Sequence, residues 1–316
     1  MGSIVYEISH NAPGFQPGAS TATKNSNEQY LNHAIKFGKW AKEQFGCKKC
    51  DDMIPHIQAY ADHLVAQGKS ASTVRTYIAG CCHAFQIPMS DITLPKRHCY
   101  ENTRSRGTKA VDERSDSKRG ASPRLYDFAS AVGIRRHEYL ALRGRNFKYD
   151  ESGYPCVEVE KGKGGKYTLQ RVMPEDADAV RVYFDGSNQY IFSKAEMSNK
   201  IDLHHIRAAV AQRAYQYYLN RLNNEPGYRA QLEQEIEARW KKYRGTPPKN
   251  SKKKHNWTWD STLVQGNYFI RGNNRKVAIE NGFATQYDRC AVMAVSVFHL
   301  SHWRCDVTID NYLLAK

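Results

Sequence analysis

Between Asn25 and Phe45 the apolar residues Tyr30, Ala34, Phe37, Ala41 and Phe45 return at steps of three and four, the spacing of one helical face, and Gly46 offers a stop. A second run from Ile54 to Gln67 keeps Ile57, Ala61 and Leu64 on one side and closes at Gly68. A third opens at Ser70 or Ser72, both good N-caps, and carries Val74, Tyr77, Ile78, Cys81 and Phe85. These runs predict a small helical domain over 25–94, preceded by a tail over 1–24. From 95 to 121 the periodicity stops: Pro95 is followed by Lys96, Arg97, Arg104, Arg106, Lys109, Arg114, Lys118 and Arg119 among Ser, Gly and Asp. This is a basic interdomain linker, either a solvated segment or one laid along a polyanion.

Regular patterning resumes at Ser122-Pro123, an N-cap with proline at the first helical position, with Leu125, Phe128, Ala129 and Val132 on one face and Gly133 as the break. A further helix follows at once. Cys156–Glu160 and Tyr167–Val172 read as strands joined by Lys161-Gly162-Lys163-Gly164-Gly165-Lys166, a glycine-rich hairpin turn. Helical patterns return at about 203–221, 227–243 and 285–300. The second domain, 122–316, is therefore expected to be mainly α with a small antiparallel β-sheet. Between its last helices run Lys241-Lys242-Tyr243-Arg244 and Lys252-Lys253-Lys254, then Trp257 and Trp259. Such a stretch suits phosphate and base contacts, or else is a solvated loop beside a small apolar cluster.

Composition narrows the partner. The 316 residues, 41% hydrophobic, suffice for two cores, and a formal charge of +15 points to a polyanion, nucleic acid first. Ribosomal and membrane-surface proteins share such a balance. The first residues have no apolar targeting segment and no window has the roughly 18 apolar residues of a membrane span, so a soluble, intracellular protein without a membrane partner is expected. Tyr6 stands where myristoylation wants Ser or Thr. The eight cysteines are expected to be reduced thiols; Cys47-Lys48-Lys49-Cys50 and Cys81-Cys82-His83 lack the second spaced pair of a zinc site.

The candidate chemistry lies in five motifs in order. Gly133-Ile134-Arg135-Arg136-His137-Glu138 precedes Leu142; Lys163 sits in the hairpin turn; His204-His205-Ile206-Arg207 opens a helix; Leu300-Ser301-His302 follows; Tyr312 stands near the end. Together these resemble the tyrosine recombinase (phage-type integrase) family, with Ser301 where the family has glycine. Ser72-Thr73-Val74-Arg75-Thr76-Tyr77 resembles its helical core-binding domain, so the likeness covers most of residues 25–316. The resemblance implies a two-domain clamp on double-stranded DNA, cleavage by Tyr312 through a 3′-phosphotyrosyl link, and a homotetramer on two sites exchanging strands through a four-way junction. Integration or excision of a mobile element, with accessory DNA-binding proteins, fits that role. Arg75, Arg97, Arg104, Arg106, Lys252, Lys253 and Lys254 are candidate DNA contacts.

The residue types suit that chemistry on physical grounds. Charge growing on two non-bridging oxygens is best met by guanidinium, whose planar fork donates paired hydrogen bonds and stays protonated; Arg135 and Arg207 are the candidates. Glu138, three residues on, could hold Arg135 or merely form a surface ion pair, and Arg136 is a neighbouring alternative. A tyrosine hydroxyl, with an ordinary pKa of about 10, needs an acceptor: His204 could take its proton while His302 binds phosphate. The departing 5′ oxygen needs a proton, for which the turn lysine is suited; family position favours Lys163 over Lys161 and Lys166. No metal and no cofactor are expected.

The interval from Arg207 to His302 exceeds what the family's compact members need, and residues at about 220–285 are read as an insertion, a lysine-rich arm for DNA or a neighbouring subunit. Little chain follows Tyr312, where the family commonly adds a docking helix, and the first 24 residues are too few for an arm-site domain. Two other functions use the same features: a type IB topoisomerase-like relaxing enzyme and a catalytically idle DNA-binding regulator.

Overall fold

The computed structural model describes residues 3–19, 22, 24–96, 122–163, 165–198, 201–244 and 258–314. The chain forms two compact units, Met1–Asn102 and Thr103–Lys316. Arg97, Arg104, Arg106 and the rest of the basic stretch to residue 121 lie outside the described residues, as do Lys252, Lys253, Lys254 and Trp257.

The first unit is helical: α1 Ile4–Asn11, α2 Lys24–Phe45, α3 Cys50–Met53, α4 Ile57–Ala66 and α5 Ala71–Phe85. Ser70 is the cap of α5, its hydroxyl accepting from the Thr73 amide at 3.2 Å. The stops at Gly46 and Gly68 have φ of 71° and 70°, the left-handed conformation glycine adopts without a Cβ penalty. The stretch expected to be a tail contains the helix α1. Ser3 caps α1, which buries Ile4 and Ile8; a Cβ on Gly38 of α2 would lie 2.3 Å from Ile8 Cδ1, so the glycine makes room for that side chain. A single i, i+4 apolar pair is too short to register as a periodicity, and only α2 gives it something to pack on.

The second unit begins with α6 Pro123–Ala131 and α7 Arg136–Tyr139, then an antiparallel sheet of β1 Phe147–Tyr149, β2 Pro155–Val159 and β3 Thr168–Arg171 in the order β1-β2-β3. The register pairs Phe147 with Val157 and Val157 with Gln170. The short helices α8 Ala177–Arg181 and α9 Lys194–Met197 lead to the long helices α10 Leu203–Asn224 and α11 Tyr228–Tyr243. One core joins Leu125, Phe128, Ile134, Tyr139, Val157, Val159 and Ile206.

Two departures follow. In the stretch read as an arm, α11 is part of the fold: Tyr228, Leu232, Ile236, Arg239 and Trp240 are buried, and full burial of Leu232 and Ile236 is worth roughly 1.5–3 kcal/mol each. The region near 285–300 is not one regular helix. It comprises β5 Gln286–Asp288, paired with β4 Asn267–Phe269 across α12 Gly272–Glu280, then α13 Arg289–Ala294 and a π-helical segment Val295–Leu300. Every residue from Cys290 to Leu300 is buried, so hydrophobic periodicity has nothing to distinguish there. The chain ends with α14 Cys305–Thr308 and a second π-helical segment, Ile309–Leu313.

Beneath β3 lies a buried charge cluster. Asp150 Oδ2 accepts from Arg171 Nε at 2.6 Å and from Arg239 Nη2 at 2.8 Å, and Arg171 Nη2 reaches Glu235 at 2.8 Å. Arg239 Nη1 also donates to the Leu169 carbonyl, which ties α11 to β3. Among the described residues no helix is long and apolar enough to cross a membrane, and no group of His, Cys, Asp and Glu could hold a metal ion.

Candidate active site

Gly133 lies where the chain leaves α6 and passes against α10. A Cβ there would sit 3.2 Å from Arg207 Cα and 3.1 Å from Val210 Cβ, so glycine permits the close approach. The Gly133 carbonyl accepts from Arg207 Nη1 at 2.7 Å. Arg135 is the N-cap residue of α7, and Glu138 serves it twice: Oε2 accepts from the Arg135 amide at 2.7 Å and Oε1 from Nη1 at 2.8 Å. One carboxylate thus caps the helix and orients the guanidinium. Glu138 is 1% exposed, which removes the surface ion-pair reading. Its Oε2 also lies 4.0 Å from Arg207 Nη1, between the two arginines. Arg136 instead donates to the carbonyls of Met197 and Ile201, a structural tie.

Asp202 caps α10 by accepting from the amides of His204 and His205. Four residues into the helix, three after His204, comes Arg207, which is fully buried. Its Nη2 donates to the Leu300 carbonyl at 2.7 Å, while Nε is buried without a hydrogen-bond partner. Burial pushes the guanidinium below its ordinary value, with Arg135 adding to the effect and Tyr312 and Glu138 opposing it. It remains charged nonetheless. A buried cation with an unused donor beside a second arginine has the chemistry to receive an anion.

Leu300 ends the first π-helical segment and Tyr312 lies in the second; such segments are rare and concentrate at functional sites. Ser301 and Trp303, on either side of His302, have φ of 52° and 63°. His302 Nε2 is 3.1 Å from the Tyr312 hydroxyl. The Tyr312 ring is buried, with ring centroids of His204 and His302 each at 5.3 Å and Arg207 Cζ at 5.6 Å. Gln212 holds the Tyr312 carbonyl at 3.1 Å, and Tyr287 donates to the Leu313 carbonyl. His302 thus makes a hydrogen bond to the hydroxyl, and the His204 ring, the expected proton acceptor, lies beside the same tyrosine ring. Burial, then Arg207, Arg135, Lys163 and His204, push His302 down to about 3. At neutral pH its ring is uncharged, so the hydroxyl can donate to Nε2.

Lys163 is exposed on the hairpin turn, and its charge reaches His302. The turn lies against the Arg135–Glu138 pair: a Cβ on Gly162 would be 3.1 Å from Glu138 Oε1. Lys166 lies close too, its ammonium pushed down by burial and by Arg244 and Arg135. Arg75, in the first unit, gives its Nε to the Pro95 carbonyl. Two site residues carry no signal in the sequence. Gln170 of β3 is buried and donates from Nε2 to Ser301 Oγ at 3.1 Å, and Gln212 is an ordinary helix residue until the fold brings it to the end of the chain.

No protein-family model matches the chain, and no curated protein matches it. The geometry of these side chains is what bears on function.

Proposed function

We propose that the chain cuts and rejoins DNA by covalent catalysis through Tyr312, as a site-specific recombinase. The observation that carries this reading is the hydrogen bond between the Tyr312 hydroxyl and a neutral histidine, His302, beside the buried Arg207, whose neighbour Glu138 also holds Arg135. Tyr312 Oη attacks the phosphorus and the P–O5′ bond breaks. The hydroxyl proton passes to His302 Nε2, and the leaving 5′ oxygen takes a proton from Lys163. Arg135 and Arg207 meet the charge on the non-bridging oxygens, where loss of one such donor typically costs about 10²–10³ in rate. The phosphate itself opposes the arginine field at His302 and raises its basicity at the moment a base is needed.

The phosphotyrosyl link keeps the energy of the broken bond, so a 5′ hydroxyl from another strand can reverse the step without a cofactor. Double-stranded DNA is the substrate, in keeping with the charge of +15. A homotetramer on two sites and accessory DNA-binding proteins complete the reading, with integration or excision of a mobile element as the role.

The test is a nicked duplex, selected for binding to the protein, incubated in EDTA and resolved by denaturing electrophoresis. A covalent adduct with the wild type and none with Tyr312→Phe is the expected result. No adduct on a duplex that binds, or an adduct that persists in Tyr312→Phe, sinks the reading. Relaxation of supercoiled plasmid lacking any selected site would mark a topoisomerase instead.

A further inference from the structure

Resting on that reading of the site, we propose that Gln170 is a positioning residue: its hydrogen bond to Ser301 holds the left-handed turn that aims His302 at Tyr312. The first ground is backbone strain. Ser301 (φ 52°, ψ 37°) and Trp303 (φ 63°) are both left-handed and neither is glycine. Such conformations persist only where the surroundings over-determine them.

The surroundings do so from two sides. Ser301 is held by Gln170 Nε2 at 3.1 Å, a bond that depends on the serine hydroxyl and that a glycine could not make. The Trp303 ring meets the Trp240 ring edge-on, centroids 5.8 Å apart at 83°. The His302 amide donates to the Ser296 carbonyl at 3.0 Å. Gln170 sits on β3 and Trp240 on α11, and the Arg239 bond to the Leu169 carbonyl joins these two elements one residue away from each.

The second ground is that Gln170 is a poor choice for packing. It is 1% exposed, its Oε1 is buried without a hydrogen-bond partner, and its other polar neighbour, Thr168 Oγ1, is at 3.5 Å. An unsatisfied buried acceptor works against folding, so an apolar residue of the same length would serve a purely structural purpose better. What the amide supplies is the grip on Ser301.

The experiment uses Gln170→Met, Ser301→Ala and Ser301→Gly in the full chain, with two readouts. The first is ¹⁵N NMR of labelled histidines in the DNA-free protein. In the wild type His302, facing Arg207, Arg135, Lys163, His204 and Tyr312, stays neutral across pH 5–8; in Gln170→Met its ring loosens and titrates nearer the ordinary 6.5. The second is the rate of adduct formation on a nicked duplex. It falls roughly 10- to 100-fold in Gln170→Met, the cost expected of a displacement of about 1 Å, while thermal stability holds or rises and DNA binding is unchanged. Ser301→Gly loses less rate than Ser301→Ala, because glycine relieves the strain that alanine retains. Gln170→Met adds no loss in the Ser301→Ala background.

A His302 that titrates as in the wild type, or a wild-type adduct rate in Gln170→Met, overturns the proposal. If the wild type forms no adduct the recombinase reading fails, and the histidine titration alone then decides whether Gln170 holds His302.

Discussion

Asp150→Asn tests whether the charge cluster under β3 holds the second unit together. The Asp150 side chain is fully buried, and those of Arg171 and Arg239 are 1% and 4% exposed. Its Oδ1 accepts from the amides of Ser152 and Tyr154, which an asparagine oxygen can still do. Its Oδ2 accepts from both guanidiniums, and the asparagine Nδ2 would face those donors with a donor. Two charge-assisted bonds, each worth about 1.5–3 kcal/mol, are lost. Glu235 retains its hold on Arg171 and offsets part of the cost, whereas Arg171 Nη1 already lacks a partner and has no spare bond to form. The net expectation is about 3–5 kcal/mol, the range for removing one partner of a buried pair and a large fraction of a domain's stability. Urea unfolding, followed by the fluorescence of Trp240, Trp259 and Trp303, should show the second unit's midpoint falling by about 1–2 M at unchanged slope. The triple variant Asp150→Leu, Arg171→Met, Arg239→Met strands no charge within the trio and should lose much less. A single-variant loss below about 1 kcal/mol, or a triple-variant loss as large as the single, would refute the reasoning.

Acid should weaken the fold through two histidines. His299, buried against Tyr218, and His302 are both pushed down to about 3 from 6.5, chiefly by burial. Their folded values lie below the unfolded one, so the unfolded chain binds more protons between pH 3 and 6.5; stability is complete above 6.5 and falls as pH drops through that window. Chemical denaturation at stepped pH should show this slope, reduced by about one proton in His299→Gln; an unchanged slope counts against it. Gly133→Ala drives a Cβ against the backbone of α10, costing about 1–3 kcal/mol for overpacking, less up to about 1 kcal/mol from the stiffer unfolded chain. A drop in melting temperature together with slower adduct formation is expected, and a more stable variant would show that α10 yields there.

The sequence determined what is encoded over a few residues. The runs over 25–45, 54–67 and 70–85 became helices because a three- and four-residue apolar step gives each a face to bury. Gly46 and Gly68 end theirs because only glycine takes the left-handed turn freely. The lysine-rich glycine turn lies in a β-hairpin for the same local reason. The order of the candidate residues could also be read, but not which would meet. Arg135 and Arg136 are adjacent in sequence, and only the packing of α7 turns the first to Glu138 and the second to backbone carbonyls. His302 meets the Tyr312 hydroxyl from a turn in which two residues are left-handed. Neither the pairing of α1 with Gly38 nor the Gln170–Ser301 bond has a local signature. Periodicity, caps and turns are set by neighbours along the chain, whereas the site also needs contacts between residues dozens to more than a hundred positions apart, such as Gly133–Arg207, Arg207–Leu300 and Gln170–Ser301, which exist only once the cores have closed.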